Sequence, residues 1–151
     1  MVLRSCLESA LYGLYVAGVT NRQEIWLHRH VDHASRQRVR NVFTTGNVLN
    51  HLKSIDAKTH DIARSLYEQT IDYGGHPNER AVLTQIKTES TDSRVAFTLE
   101  YFLCGDLPHQ LSLKSAARIG ICCLDIFYIV FRDRYRRLGI DERLDEIRQG
   151  F

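Results

Sequence analysis

Residues 119–131 read IGICCLDIFYIVF, and this segment gives the strongest indication of the fold because it is almost entirely apolar over about three and a half helical turns. A surface helix would carry polar residues along one side, whereas a helix packed on several sides would not. Asp125 interrupts the run, which is also too short to span a bilayer. The stretch therefore predicts a long buried helix over about residues 109–137, surrounded by other helices.

Helical periodicity extends on both sides of this segment. Leu3, Leu7, Leu11 and Leu14 follow a 3.6-residue period and predict a first helix over about 2–17. Thr20 and Gln23 fit a capping box that opens a second helix, predicted to continue to about residue 43. Further helices are predicted around 48–55, across 62–71 up to Gly74–Gly75, and over 141–149 after Gly139 as a C-cap.

Between Pro77 and Pro108 the apolar period changes from helical to two. The segment RVAFTLEYF (94–102) alternates apolar and polar residues, and AVLTQIKT (81–88) is a weaker partner rich in β-formers. With ESTDS (89–93) as the loop, they predict a β-hairpin over about 81–103. Because a lone hairpin is marginal in water, its apolar face should pack on the helices or on another subunit.

These elements predict a mainly α, single-domain bundle over residues 1–151. We expect five or six helices, with the hairpin inserted before the long central helix. A chain of 151 residues can bury a core without disulfides, and a net charge of +2 does not steer it toward nucleic acid or an anionic membrane. The cysteines show no Cys-x-x-Cys spacing, and without a recognisable secretory leader the reducing cytoplasm is expected. Cys122 and Cys123 are interpreted as small buried hydrophobes.

The segment HRHVDH, residues 28–33, is the first candidate site. On a helix, His28 and Asp32 are one turn apart, as are His30 and His33, and either pair could share a metal ion. A third ligand would have to come from another element, and the candidates are His51, His60 and His76. We favour a solvated polar helix face, so no metal or other cofactor is predicted.

Two arginine-rich segments, SRQRVRN (35–41) and RDRYRR (132–137), form the second candidate. They could make a phosphate-binding patch if their helices align. Acidic residues are interspersed, however, and Tyr135 is the only aromatic residue within the segments, so we favour an alternating charged surface. The arginines concerned are Arg36, Arg38, Arg40, Arg132, Arg134, Arg136 and Arg137.

The third candidate is Asp125, a carboxylate within the apolar run. Burying its charge alone would be costly, so it needs a partner or must be neutral. The partner could be Arg118 or an arginine from another helix. A structural role and a functional role stay equally open at this point.

The fourth candidate is the loop YGGHPNER, residues 73–80. Gly74, Gly75 and Pro77 are accounted for by a turn out of the preceding helix. A turn does not require the polar side chains of this loop, which are therefore the candidate binding residues. His76 is also a candidate general base or metal ligand. We favour a structural turn without a binding role. The candidate binding residues are Tyr73, His76, Glu79 and Arg80.

The segment YEQTIDYGGHPNER, residues 67–80, resembles a motif of uncharacterised all-helical bacterial domains, some of them HEPN-like or abortive-infection-like. HEPN ribonucleases carry an Arg-x4-6-His motif on a helix, and both residues serve RNA cleavage at a dimer interface. In RQEIWLH, Arg22 and His28 have this spacing. The resemblance thus implies a helical fold and makes Arg22 and His28 catalytic candidates.

The expected function is a non-catalytic cytoplasmic binding or interaction module that acts as a homodimer, with no membrane span and with nucleic acid disfavoured as a partner. Neither a nucleophile motif nor a phosphate loop is recognisable, and the hairpin offers an apolar face formed by Val95, Phe97, Leu99 and Tyr101.

Two alternatives stay open. One is a HEPN-like ribonuclease or metal-assisted hydrolase that uses Arg22, His28 and the His76 loop. The other is a small-ligand-binding protein with a pocket near Tyr12, Tyr15 and Trp26.

Overall fold

A computed structural model of the chain describes residues 2–74, 86–91, 94–99 and 107–149. Two strands, β1 (Ile86–Thr91) and β2 (Arg94–Leu99), precede the longest helix. The predicted mainly α bundle with an inserted hairpin is therefore confirmed. The helices are α1 (Val2–Val16), α2 (Thr20–Leu27), α3 (His33–Val42), α4 (Thr45–Ile55), α5 (Ala57–Gly74), α6 (Leu107–Leu138) and α7 (Ile140–Gln149).

One hydrophobic core is shared by α1, α4, α5 and α6. The buried residues of α1 recur every three or four positions, so a single face of this helix packs on the other three. Cys122 and Cys123 are buried in this core, as predicted. The core residues are Leu7, Ala10, Leu11, Leu14, Tyr15, Phe43, Val48, Leu49, Leu52, Ala63, Leu66, Tyr67, Ile119, Cys122, Cys123 and Ile126.

The single helix predicted over residues 20–43 was wrong, because the chain breaks between α2 and α3. Asp32 has an extended backbone, and its side chain accepts a hydrogen bond from the Ser35 amide at 2.6 Å. An aspartate satisfies a free amide as an N-cap but competes with the helix as an interior residue. Seven helices, rather than five or six, therefore occupy the described part of the chain.

The capping box predicted at Thr20 was also wrong, although α2 does begin there. Val19 is the N-cap residue, and no side chain caps the helix. Gln23 instead donates its Nε2 to the Val16 carbonyl at 3.1 Å, which ties the start of α2 to the end of α1.

The hairpin pairs antiparallel from Ile86 opposite Leu99 to Thr91 opposite Arg94. Strand pairing thus extends into the predicted 89–93 loop. Val95 is 57% exposed, so the expected packing of this face on the helices is not seen at Val95. The side chains of Phe97 and Leu99, and the whole of Tyr101, lie outside the described residues.

The long helix α6 confirms the prediction over 109–137 and is about 48 Å long at the usual rise per residue. The expectation that other helices surround it was wrong. Leu124 is 37% exposed and Phe131 is 42% exposed, although α6 contacts α1, α5 and α7. Phe131 also has non-helical dihedrals, φ −120° and ψ 33°, which interrupt the helix near its end.

The chain reverses from α6 into α7 at Gly139, as predicted. Its φ is +63°, in the left-handed region that favours glycine, and its amide donates to the Arg136 carbonyl at 3.3 Å. Leu144 is buried where α7 packs back on α6.

Candidate functional site

Arg22 contacts α1 rather than an open site. Its guanidinium lies 3.8 Å from the centroid of the Tyr15 ring, and Nη1 donates to the Tyr15 carbonyl at 3.0 Å. The His51 ring of α4 meets the same tyrosine edge-on, with centroids 5.4 Å apart. Burial, and to a lesser extent the charge of Arg22, lowers the pKa of His51. Arg22 of α2 therefore packs on Tyr15 of α1, which His51 of α4 also contacts.

His28 lies at the C-terminus of α2 and lines a shallow groove between α2 and α3. The groove has a volume of about 210 Å³, below the roughly 300–1,000 Å³ of small-molecule pockets. His28 Nδ1 is 2.8 Å from the Glu24 carbonyl oxygen, which only accepts, so Nδ1 carries a proton and Nε2 is the ring nitrogen that can accept one in the neutral imidazole. The lining residues are Asn21, Glu24, Ile25, His28, Ser35 and Arg38.

The structure places Arg22 and His28 on different faces of α2. Residues 21, 24, 25 and 28 share the face that lines the groove, whereas the Arg22 side chain is turned toward Tyr15. The cation that shares the groove with His28 is Arg38 of α3. The joint catalytic role of Arg22 and His28 that the HEPN resemblance implies stays a prediction.

The other histidines whose side chains are described have different surroundings. His60 is buried on α5, with Nδ1 2.8 Å from Asp61 Oδ1, and His51 packs on Tyr15. His30 and His33 are exposed. Across residues 2–74, 86–91, 94–99 and 107–149, no three His, Cys, Asp or Glu side chains lie close enough to hold a metal ion.

The two arginine-rich segments lie on two helices that pack against different neighbours. The first is on α3, which packs chiefly on α2, and the second ends α6, which packs on α1, α5 and α7. Arg132 and Arg134 lie over the Tyr128 and Phe131 rings, at 5.5 and 5.7 Å from the centroids. The alignment needed for one phosphate-binding patch is therefore not seen among the described elements.

Asp125 forms an ion pair with Arg148 of α7, which also pairs with Asp145. Of the two predicted kinds of partner, an arginine from another helix is confirmed, whereas Arg118 is exposed. The Asp125 side chain is only 17% exposed, so the pair lies at the boundary of α6 and α7. Its geometry indicates that it fastens α7 to α6.

Tyr12, Tyr15 and Trp26 pack around Phe43. Trp26 and Phe43 have ring centroids 5.0 Å apart, and Tyr12 and Tyr15 meet Phe43 edge-on at 5.9 and 5.4 Å. Such pairs contribute roughly 0.5–1.5 kcal/mol each beyond their burial. These rings pack on one another as part of the core, and the small-ligand pocket near them stays a prediction.

The loop candidate YGGHPNER lies mostly outside the described residues. Tyr73 and Gly74 belong to the last turn of α5, but the Tyr73 side chain is not described. His76, Glu79 and Arg80 lie outside the described residues altogether. The proposed binding role of this loop stays a prediction.

The sequence analysis missed an apolar surface on α6, here called the α6 stripe. It consists of Ala117, Leu124, Phe131 and Leu138, each seven residues after the last. Leu138 is 72% exposed, and a groove of about 270 Å³ lies beside Phe131. The seven-residue spacing is present in the sequence, but the apolar run around it favoured a helix that is buried on all sides.

Searches against family models, curated proteins and solved structures found no match to this chain. Among the described residues, no helix is both long and apolar enough to cross a membrane.

Proposed function

We propose that the protein is a non-catalytic, cytoplasmic interaction module that forms a homodimer through the α6 stripe. The observation that carries this proposal is the exposure of large apolar side chains at heptad spacing on the longest helix of the bundle. Heptad spacing keeps Ala117, Leu124 and Phe131 on one side of α6 up to its interruption at Phe131, and such spacing is typical of helices that pair along their length.

The neighbours of Leu124 explain why the stripe is uncovered. Cys123 points toward α1, where its Sγ lies 3.8 Å from that of Cys6, and Asp125 points toward α7 through its ion pair with Arg148. Leu124 lies between these two directions, since successive residues rotate by about 100° around a helix. The stripe therefore faces the gap between α1 and α7.

The α6 stripe is complementary in side-chain size to the same stripe on a second copy of this chain. In an antiparallel pair of α6 helices with Leu124 at the two-fold axis, Phe131 of one protomer meets Ala117 of its partner. Gly120, beside the stripe, then meets Tyr128. Large side chains opposite small ones allow close packing, and an isologous contact of this kind closes as a dimer.

The expected dimer is weak. With Leu124 on the axis, the stripe pairs with itself from Ala117 to Phe131, a length of about 21 Å, and a helix with its side chains is about 10–12 Å wide. The contact would bury roughly 230 Å² of projected surface on each protomer, or about 460 Å² in total, which is below the range of roughly 1,200–2,000 Å² for stable complexes. We expect dissociation in the micromolar range or weaker, and a mass that depends on concentration.

Sedimentation equilibrium at several concentrations tests the proposal. The wild-type mass should rise from the 17.5 kDa of the monomer toward twice that value. Leu124→Glu places a charge in the stripe and should remain monomeric. Leu111→Glu is the matched control, because Leu111 is exposed on α6 but outside the stripe. A wild-type monomer up to about 1 mM, or a Leu124→Glu variant that dimerises normally, would overturn the proposal.

A second candidate function is a HEPN-like ribonuclease, which the His28 groove favours. There the free Nε2 of His28 could accept a proton, and Arg38 could bind a phosphate. Purified protein should then cleave a labelled RNA, with His28→Ala and Arg38→Ala each losing on the order of 100-fold in rate. Arg36→Ala on the same helix is the control. Cleavage that survives His28→Ala would exclude this site.

A further inference from the structure

Cys6 and Cys123 meet at the contact between α1 and α6. Their Sγ atoms are 3.8 Å apart, although the residues are 117 positions apart in sequence. Cys6 is exposed, whereas Cys123 is only 4% exposed. The pair thus combines one thiol that solvent reaches with one that the core shields.

We propose that Cys6 and Cys123 form an oxidation site for small hydroperoxides, in which the Cys6 thiol is oxidised first and Cys123 then closes a disulfide. The site is independent of the α6 stripe, because Cys123 points toward α1 and away from Leu124.

The exposure of the two thiols sets the order of the steps. The Cys6 sulfur, as a thiolate, attacks the peroxide oxygen, which breaks the O–O bond; Cys6 becomes a sulfenic acid, and the peroxide leaves as an alcohol or as water. The Cys123 sulfur then attacks the Cys6 sulfur, a disulfide bond forms, and the hydroxyl of the sulfenic acid leaves with the Cys123 proton as water. Overall, one peroxide is reduced and two thiols are oxidised.

Burial protects Cys123 from reacting directly. Desolvation, together with its hydrogen bond to Cys6, raises the pKa of Cys123 to about 12, so its thiolate is scarce near neutral pH. Proximity compensates for this scarcity, since reacting groups held in place gain a large effective concentration. Cys122 is 1% exposed and lies about 100° further around the helix, so it does not compete.

Closure needs only a small movement. A disulfide has a sulfur–sulfur distance of about 2.05 Å, so the sulfurs must approach by a little under 2 Å, which a rotation of the exposed Cys6 side chain can supply. The bond would fix α1 to α6 and close a long loop in the unfolded chain. We expect the oxidised protein to melt higher than the reduced one, by on the order of 10 °C.

The test is to treat the reduced full-length protein with hydrogen peroxide and to map its peptides without reduction. We expect a mass decrease of about 2 Da, a Cys6–Cys123 linked peptide, reversal by dithiothreitol and a raised melting temperature. Cys6→Ser and Cys123→Ala should abolish both the linked peptide and the thermal shift, while Cys122→Ala should retain them. Circular dichroism checks that each variant is folded, and Cys6→Ser is the decisive one because its side chain is exposed.

Several results would overturn the proposal. These are a disulfide that contains Cys104 or Cys122, a covalent dimer through Cys6, oxidation of Cys6 to sulfinic acid without a disulfide, and the absence of any reaction in the wild type. A thermal shift that persists in Cys6→Ser would also contradict it, because the shift would then have another cause.

Discussion

At the scale of single residues, Arg22 of α2 and His51 of α4 both pack on Tyr15 of α1. The guanidinium covers the Tyr15 ring and bonds to the Tyr15 carbonyl, while His51 contacts the same ring. The lowered pKa of His51 means that folding favours its neutral form. Its contribution to stability is therefore complete above an unfolded-state pKa of about 6.5 and is lost as the pH falls through the lower folded-state value.

Arg22→Ala should lower the free energy of unfolding by about 1–2 kcal/mol, because it removes a cation–π contact and a charged hydrogen bond. It should also raise the pKa of His51, since the nearby positive charge is lost. Urea denaturation measures the first effect, and an NMR titration of His51 measures the second. Arg36→Ala, at an exposed position on α3, should change neither. An unchanged pKa of His51 in Arg22→Ala would contradict the assigned contact.

At the scale of elements, side-chain caps mark where α3, α4 and α5 begin. Thr44 caps α4 by accepting a hydrogen bond from the Asn47 amide at 3.2 Å, and Asp56 caps α5 through the Thr59 amide at 3.0 Å and the Thr59 hydroxyl at 2.8 Å. These hydrogen bonds lower the pKa of Asp56, and the bond from the Thr59 amide has the largest effect. The cap therefore stabilises α5 above a pH of about 3.9, and the benefit is lost as the pH falls through the lower folded-state pKa.

Asp56→Ala should cost about 0.5–2 kcal/mol of stability near neutral pH, because the α5 amides lose their acceptor. The difference from wild type should begin to shrink below a pH of about 3.9, where the unfolded chain is protonated, and should shrink further as the pH falls through the lower folded-state pKa of Asp56. Asp56→Asn is the matched control, since asparagine caps a helix without titrating. Urea midpoints at pH 7 and pH 3 measure the difference. An equal loss at both pH values would show that Asp56 acts through something other than its charge.

At the scale of the whole molecule, the fold class and most helix positions could be predicted from sequence, but the candidate sites could not. The leucine spacing in α1 and the apolar run in α6 predict helices because each pattern repeats locally. Arg22 and His28 have the spacing of a catalytic motif, yet they lie on different faces of α2 once Tyr15 and the α2–α3 groove are in place. The spacing of residues along a chain does not determine which side chains a neighbouring helix covers.

The sequence alone predicts a helical bundle with a hairpin before a long helix, because 3.6-residue and two-residue periods are properties of short segments. Three features depend on the tertiary structure: Leu124 stays 37% exposed on α6, Arg148 pairs with Asp125, and Cys6 meets Cys123. Each depends on how helices distant in sequence are rotated and crossed. That geometry is set by the packing of whole faces, which no single segment encodes.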